Sequence, residues 1–380
     1  MTDAAPVEQV LVVDDDPDVN RLLAVRLGAR GYKVETAGGG EQALAQLEGR
    51  PPDLIFLDVS MPGIGGLEVL EQVRLRGLDT AVIMTTAFGS EQIAIEALRS
   101  GADDYLRKPF QSAEFQAVLN RTVARLELSR QNAALRAQLD EKRRQLEAEL
   151  ARAAEVQAEL LPKEHPAIEG FELAARCLPA RTVGGDFYDW CELGRDGLSL
   201  TLGDVMGKGM PAALLMATVR AALRAVVAQH GPAEAVELAR RALETDLDRS
   251  NSFLTLFQAR LDTASGCLSF VDAGHGHGFV RRVGGALERL EPRGLPLGVP
   301  FAEGYDEGSV ALGPGDALLL YSDGLVDAHP EPLDREAIGA ALADAPDAAA
   351  MVERLVGLAD YAHPLPDDLT VLVLRRRPGS

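Results

Sequence analysis

The chain has 380 residues, 47% of them apolar, which is enough to bury cores in two or three domains and excludes a disordered chain. Its 58 acidic against 38 basic side chains give a formal charge of -20, which argues against non-specific nucleic-acid binding and suits cation binding and protein partners. The three cysteines, Cys177, Cys191 and Cys267, form no CxxC pair, and no segment has the apolar length of a signal core or a membrane span; the expectation is a cytoplasmic chain with no membrane segment.

From Val10 to Phe110, short aliphatic runs alternate with helical patterns: VLVVDDD, NRLLAVRLGARG, PDLIFLDV, LEVLEQVRLRG, AVIMTTA. This rhythm predicts βαβ units around a parallel sheet, where ligands sit at the carboxyl ends of strands. Asp14, Asp15 and Asp58 fall at such ends, so three carboxylates can converge. A Mg2+ ion would relieve their repulsion, and an aspartate beside it is a competent nucleophile for a phosphoryl group. Asp16 reads better as a helix cap.

From Phe110 through Leu161 there is neither glycine nor proline, and Ala, Leu, Glu, Gln, Arg and Lys dominate. The composition predicts one helix of about 50 residues, roughly 75 Å long. Leu128, Leu135 and Leu139, then Leu146, Leu150, Ala153 and Leu160, keep coiled-coil spacings in two registers, the mark of a four-residue stutter near Lys142. A lone charged helix lying on a domain is the plainer alternative.

Pro162 and Pro166 close this helix. Beyond Gly170, strand-like runs (FELAARC, LSLTLGDV, FLTLFQARLD, CLSFVDAG, DALLLYSD, LTVLVLR) are joined mostly by turns, and helix-like runs begin at MPAALL, AEAVEL and DAAAMV. The pattern predicts antiparallel sheets covered by helices. In GDVMGKGMPAAL, the interval from Gly203 to Lys208 is one residue short of a phosphate-binding GxxxxGK loop, and Gly209 stands where Ser or Thr is needed. Asp204 is therefore the residue to explain, with Gly203 and Gly207 expected to turn the backbone. It has company in Asp186 and Asp189 of VGGDFYDW, Asp323 of LLLYSDGL, and Asp367 and Asp368 of PDDLTV. Several carboxylates at turn-strand junctions suit two hard divalent cations that bridge through a carboxylate and hydrolyse a phosphate monoester. One such Asp taken singly reads equally well as a turn residue.

Two resemblances follow from these motifs. VVDDD, LDVSMPGIGGLE, TTA and GADDYLRKPF resemble the response-regulator receiver domain, apart from Gly65, where many receivers carry an acid. That resemblance implies that Asp58 accepts a phosphoryl group from a sensor histidine kinase or phosphotransfer protein. Asp14, Asp15 and Asp58 would hold one Mg2+, Lys108 would pair with the phosphate, and Thr86 and Tyr105 would form the switch pair. ELARAAEVQAELLP, VGGDFYD, GDVMGKGMPAAL, AGHGH, SDGL and DDLT resemble the sporulation and stress-response branch of the PPM/PP2C-type protein phosphatases.

The second resemblance implies an α/β sandwich of two antiparallel sheets flanked by helices, holding two Mn2+ or Mg2+ ions. Asp204 would bridge them with the Val205 carbonyl nearby, Asp323 and Asp367 would hold the second, and Asp186 would be a ligand or fix a water. The implied substrate is phosphoserine or phosphothreonine on a small anti-sigma-factor antagonist. Arg181 lies five residues before Asp186, the spacing at which eukaryotic-type relatives bind phosphate. Lys208 reads as a solvated loop residue, and His275 as a loop-fixing residue rather than, with His277, a metal ligand.

The expected organisation is a (βα)5 receiver over 6–118, a helical coiled-coil linker over 119–162 that forms a homodimer, and a phosphatase domain over 163–376. The rival reading is a receiver-controlled adaptor with an inactive phosphatase fold.

Overall fold

The computed structural model describes residues 7–87, 91–164, 166–194, 197–291, 294–300, 304–329, 333–359 and 364–379. The chain divides into two compact units, Met1–Arg144 and Gln145–Ser380.

The first unit contains β1 (Gln9–Val13), α1 (Pro17–Gly28), β2 (Lys33–Ala37), α2 (Gly40–Leu47), β3 (Leu54–Asp58), α3 (Gly66–Leu75), β4 (Ala81–Thr86), α4 (Glu91–Arg99) and β5 (Asp104–Arg107). The strands form a parallel sheet in the order β2-β1-β3-β4-β5. Successive side chains on a strand face opposite sides. Leu11, Val13, Ile55, Leu57, Val82 and Met84 therefore pack one face, and Val10, Val12, Leu54, Phe56 and Ile83 the other. Chain order reverses between β1 and β3, which opens a crevice at their carboxyl ends. Asp16 caps α1 by accepting from Asp18 N, as expected.

A single helix of 49 residues, α5 (Ser112–Leu160), follows. In the first unit it buries Phe115, Val118, Leu119 and Leu126, with Phe115 stacked 5.7 Å from Phe56. Arg130 pins it further on, with Nη1 2.9 Å from Asp53 Oδ1 and Nε 2.8 Å from Asp79 Oδ2. Leu128, Leu135, Leu139 and Leu146 are exposed, while Leu150, Ala153, Gln157 and Leu160 are half-buried. The second register thus partly serves contacts within the chain.

The second unit comprises β6 (Phe171–Leu178), β7 (Phe187–Glu192), β8 (Gly197–Val205), α6 (Met210–Val226), α7 (Pro232–Ser250), β9 (Leu254–Asp262), β10 (Cys267–Ala273), β11 (Gly278–Arg281), β12 (Leu287–Arg289), β13 (Gly308–Ala311), β14 (Ala317–Tyr321), α8 (Asp323–Asp327), α9 (Arg335–Ala341), α10 (Ala348–Val356) and β15 (Leu369–Arg376). Two antiparallel sheets form, ordered β13-β10-β9-β8-β7 and β12-β11-β14-β15-β6. Leu198, Leu200, Leu202, Phe257 and Leu261 of one meet Leu318, Leu320, Leu372 and Leu374 of the other in a core between them. Met216, Val219, Leu223 and Leu243 of α6 and α7 cover the first sheet's outer face. Ile338, Met351 and Leu355 of α9 and α10 cover the second's. The result is a helix-sheet-sheet-helix sandwich.

Among the described residues, no helix is long and apolar enough to cross a membrane.

Candidate functional sites: two acidic centres

In the first unit, Asp14 follows β1 and Asp58 ends β3, both buried, with Asp15 exposed beside them. The carboxylates of these three offer ligand atoms within 4.8 Å of one another, the one such group of His, Cys, Asp or Glu among the described residues. Lys108 reaches in from beyond β5, with Nζ 2.7 Å from Asp14 Oδ2 and 3.1 Å from Asp58 Oδ1. Burial raises the pKa of Asp58, Lys108 opposes this, and the charges of Asp14 and Asp15 add to it. Burial alone would lower the Lys108 pKa, but its bonds to Asp14 and Asp58 outweigh that and raise it. An ammonium on all-oxygen donors marks where a hard cation fits. Thr86 is buried at the end of β4 and its carbonyl accepts from Lys108 N at 2.8 Å. Tyr105 is half-buried on β5. The hydroxyl facing Asp58 belongs to Thr85, 3.4 Å from Oδ1. Sequence reading did not single out Thr85; its register position opposite Asp58 is set by sheet pairing.

In the second unit, antiparallel pairing explains why four distant acids gather. Phe187 pairs with Gly203, so Asp186 ahead of β7 and Asp204 near the end of β8 lie at one edge. Tyr321 pairs with Val371, so Asp323 after β14 and Asp367 before β15 lie at the corresponding end of the other sheet. Burial and then the charge of Asp204 hold the Asp186 pKa well above the carboxylate range. Asp204 is pushed up to about 7 by burial and then by the charge of Asp323, with Asp367 adding. Asp323 is raised by the partial covering of its carboxyl and by Asp367.

Asp186 Oδ2 is buried and has no hydrogen-bond partner among the described residues. A buried, unpartnered oxygen amid carboxylates that raise one another's pKa lacks positive charge, and oxygen-only donors suit Mn2+ or Mg2+. These residues fit such ions. Among the described residues no three of these four acids offer ligand atoms all within 4.8 Å of one another, although Asp186 and Asp204 are in side-chain contact, and Val205 is buried beside Asp204. Arg181 is exposed in the loop ahead of Asp186.

Three sequence expectations need correction. Lys208 is not a free loop residue: Nζ lies 2.9 Å from Asp367 Oδ2 and donates to the Pro366 carbonyl. Gly203 makes no turn but lies inside β8, with the Phe187 ring against it, and the turning residues are Gly207 and Gly209, at φ 99° and 78°. Asp189 does not join the acid group; it is buried under α6 in ion pairs with Arg220 at 3.1 Å and Arg224 at 2.7 Å.

Asp368 is structural too, accepting from Ala180 N at 2.7 Å and Gly185 N at 2.6 Å, so it moors the loop that carries Asp186. In AGHGH the loop is held by a residue sequence reading missed, Asp272, whose carboxylate accepts from His275 N at 2.7 Å and from Gly276 N. Burial and then the His277 charge lower the His275 pKa to about 3, so its ring is neutral. An acid three residues before AGHGH's first histidine, next to a glycine-rich turn, was the available signal.

Comparison with known proteins agrees with this architecture. Residues 10–120 match the response regulator receiver domain family, and residues 194–377 match the family of stage II sporulation protein E (SpoIIE). Among curated relatives, the Bacillus subtilis alkaline phosphatase synthesis transcriptional regulatory protein PhoP is 40% identical over 122 residues, 32% of this chain and 51% of that protein. The chain thus spans about half the length of the curated relatives it matches.

Among solved structures, the RsbU and RsbW domains of a Mycobacterium tuberculosis protein are 30% identical at TM-score 0.50, covering 57% of this chain and 64% of that one. The SiaA-PP2C domain of Pseudomonas aeruginosa shares the fold at TM-score 0.53 and 23% identity, covering 62% of this chain and 98% of that one. By these matches the chain joins a segment similar to the response regulator receiver domain family to one similar to the SpoIIE family, and its second unit shares the fold of the SiaA-PP2C domain.

Proposed function

We propose that the chain is a metal-dependent phosphoserine and phosphothreonine protein phosphatase controlled by phosphorylation of Asp58. The observation that carries this reading is the shared field of Asp186, Asp204, Asp323 and Asp367, brought from two sheets to one edge. Two Mn2+ or Mg2+ ions bound there would polarise the phosphoryl oxygens and activate water for attack at phosphorus. Asp204, with the Val205 carbonyl nearby, Asp323 and Asp367 would hold these ions, and Asp186 would be a further ligand or fix a water. Arg181, exposed on the neighbouring loop, would steady the substrate phosphate.

In the receiver, an Asp58 oxygen attacks the phosphorus of a phosphohistidine on a kinase or phosphotransfer protein, and the histidine leaves with the bonding pair. Asp14 and Asp15 would hold one Mg2+ beside it. Lys108, now on Asp14 and Asp58, would transfer an ammonium contact to the new phosphoryl group, and Thr86 and Tyr105 would register the change. The exposed Leu128, Leu135, Leu139 and Leu146 suit a homodimeric coiled coil, and the likeness to an RsbU domain favours an anti-sigma-factor antagonist as substrate.

The test is phosphate release from a phosphorylated antagonist protein in Mn2+, with and without acetyl phosphate. Release by wild type, its loss in Asp204→Asn and its change with acetyl phosphate support the reading. No release by wild type in Mn2+ or Mg2+, with substrate still bound, leaves the adaptor.

A further inference from the structure

The last turns of α5 touch the acidic centre through one side chain. Gln157 donates Nε2 to the Gly184 carbonyl at 2.6 Å, and its Oε1 accepts from Gly184 N at 3.1 Å. A single side chain thus satisfies both backbone groups of a buried residue two positions before Asp186. The opposite side of this dipeptide is equally filled. A Cβ on Gly184 would lie 2.3 Å from Asp368 Oδ2, and one on Gly185 would lie 2.5 Å from the Val205 carbonyl. Gly185 N donates to Asp368 Oδ2. Gly184 and Gly185 are therefore clamped between Gln157, Asp368 and the strand end that carries Asp204, with no room for a side chain. Four residues beyond Gln157, Leu161 packs into the cluster that holds Phe187 and Val205, the neighbours of Asp186 and Asp204.

We propose that Gln157 is a positioning residue for Asp186, making the end of the linker helix part of the acidic centre. It rests on the metal-dependent reading of that centre. Both hydrogen bonds run between one helix side chain and one loop residue. A shift or rotation of the helix end by about 1 Å would stretch them past bonding distance and free the 180–186 loop from that side. Asp186 would then lose its placement opposite Asp204, and Arg181 on the same loop would be freed with it.

The experiment uses the full chain and measures Mn2+ affinity by calorimetry, kcat and KM on a phosphorylated protein, and hydrogen exchange of a peptide spanning 180–187. Gln157→Ala is expected to weaken Mn2+ binding about tenfold or more, as loss of a residue supporting a metal ligand does. It should lower kcat and raise exchange at 180–187. Gln157→Glu keeps an acceptor for Gly184 N but sets a carboxylate against the Gly184 carbonyl. It should fall between wild type and Ala, and it serves if the Ala variant misfolds. Glu155→Ala, exposed on the same helix, is expected to match wild type. Wild-type Mn2+ affinity and kcat in both Gln157 variants, or equal losses in Glu155→Ala, overturn the proposal and leave the phosphatase reading standing. A wild-type chain that binds no Mn2+ removes both.

Discussion

Lys208 Nζ stands 2.9 Å from Asp367 Oδ2, so an ammonium from the glycine loop after β8 occupies a carboxylate at the head of β15. The same pattern recurs in the receiver, where Lys108 lies on Asp14 and Asp58. In each centre the lysine supplies the positive charge that crowded acids require.

The Lys208 pair is a third exposed on both sides and so contributes about 1 kcal/mol or less. Lys208→Met should free Asp367 and tighten binding of the weaker Mn2+ by up to about fivefold, read by calorimetry. Weaker binding in the variant would assign Lys208 a supporting rather than a competing role.

On the metal-dependent reading proposed above, protons would compete with metal at Asp204. Its pKa of about 7 in the metal-free protein means that it binds a proton below pH 7, which a cation must displace. Mn2+ affinity should therefore fall as pH drops through 7, by up to tenfold per unit from this one group. Asp204→Asn should flatten that dependence as well as lower the affinity. An affinity flat from pH 8 to 6 in wild type would contradict the raised pKa.

Arg130 joins α5 to Asp53 and Asp79 at the amino ends of β3 and β4. Backbone donors Gln9 N and Glu8 N and then Arg130 lower the Asp53 pKa against burial. That stabilisation is present above the unfolded carboxylate value of about 4 and lost as pH falls through the lower folded value. Arg130→Ala should cost about 1 kcal/mol at pH 7, seen as roughly fivefold faster hydrogen exchange in β3 and β4. Unchanged exchange would make the contact dispensable.

His275 and Asp272 oppose each other in acid. His275, at about 3 folded and about 6.5 unfolded, contributes stability that is present above 6.5 and lost as pH falls. Asp272 is raised to about 6, chiefly by burial, so its contribution is full below about 4 and lost as pH rises through 6. The two nearly cancel between pH 4 and 6. His275→Gln should unmask Asp272, and the variant should gain stability on going from pH 6 to 4 by up to about 1.4 kcal/mol per unit. Trp190, the one tryptophan, reports unfolding of the second unit. Parallel pH profiles for variant and wild type would refute the opposition.

Much of this was legible in the residues. Apolar runs ending in Asp located Asp14 and Asp58 because parallel strands present their carboxyl ends on one side. Six strands of the sandwich, β6, β8, β9, β10, β14 and β15, were readable from β-branched and leucine-rich runs. The strand β7 was not, because FYDWCE mixes aromatic and acidic residues, and its pairing with β8 comes from the sheet. Gln157 reads as one more polar residue of a charged helix, since its partner is backbone, which has no sequence signature. Lys208 misled because its partners, Asp367 and the Pro366 carbonyl, lie far along the chain in the loop ahead of β15.

Neither sheet carries a complete set of acids: β7 and β8 bring Asp186 and Asp204, while β14 and β15 bring Asp323 and Asp367. The leucine core between the sheets is then the ruler that sets the gap across which ions would be shared. Core substitutions such as Leu202 or Leu320 to smaller residues, far from any substrate, would act on the centre as a change of spacing. The domain can in this way be tuned from its interior as well as from its surface.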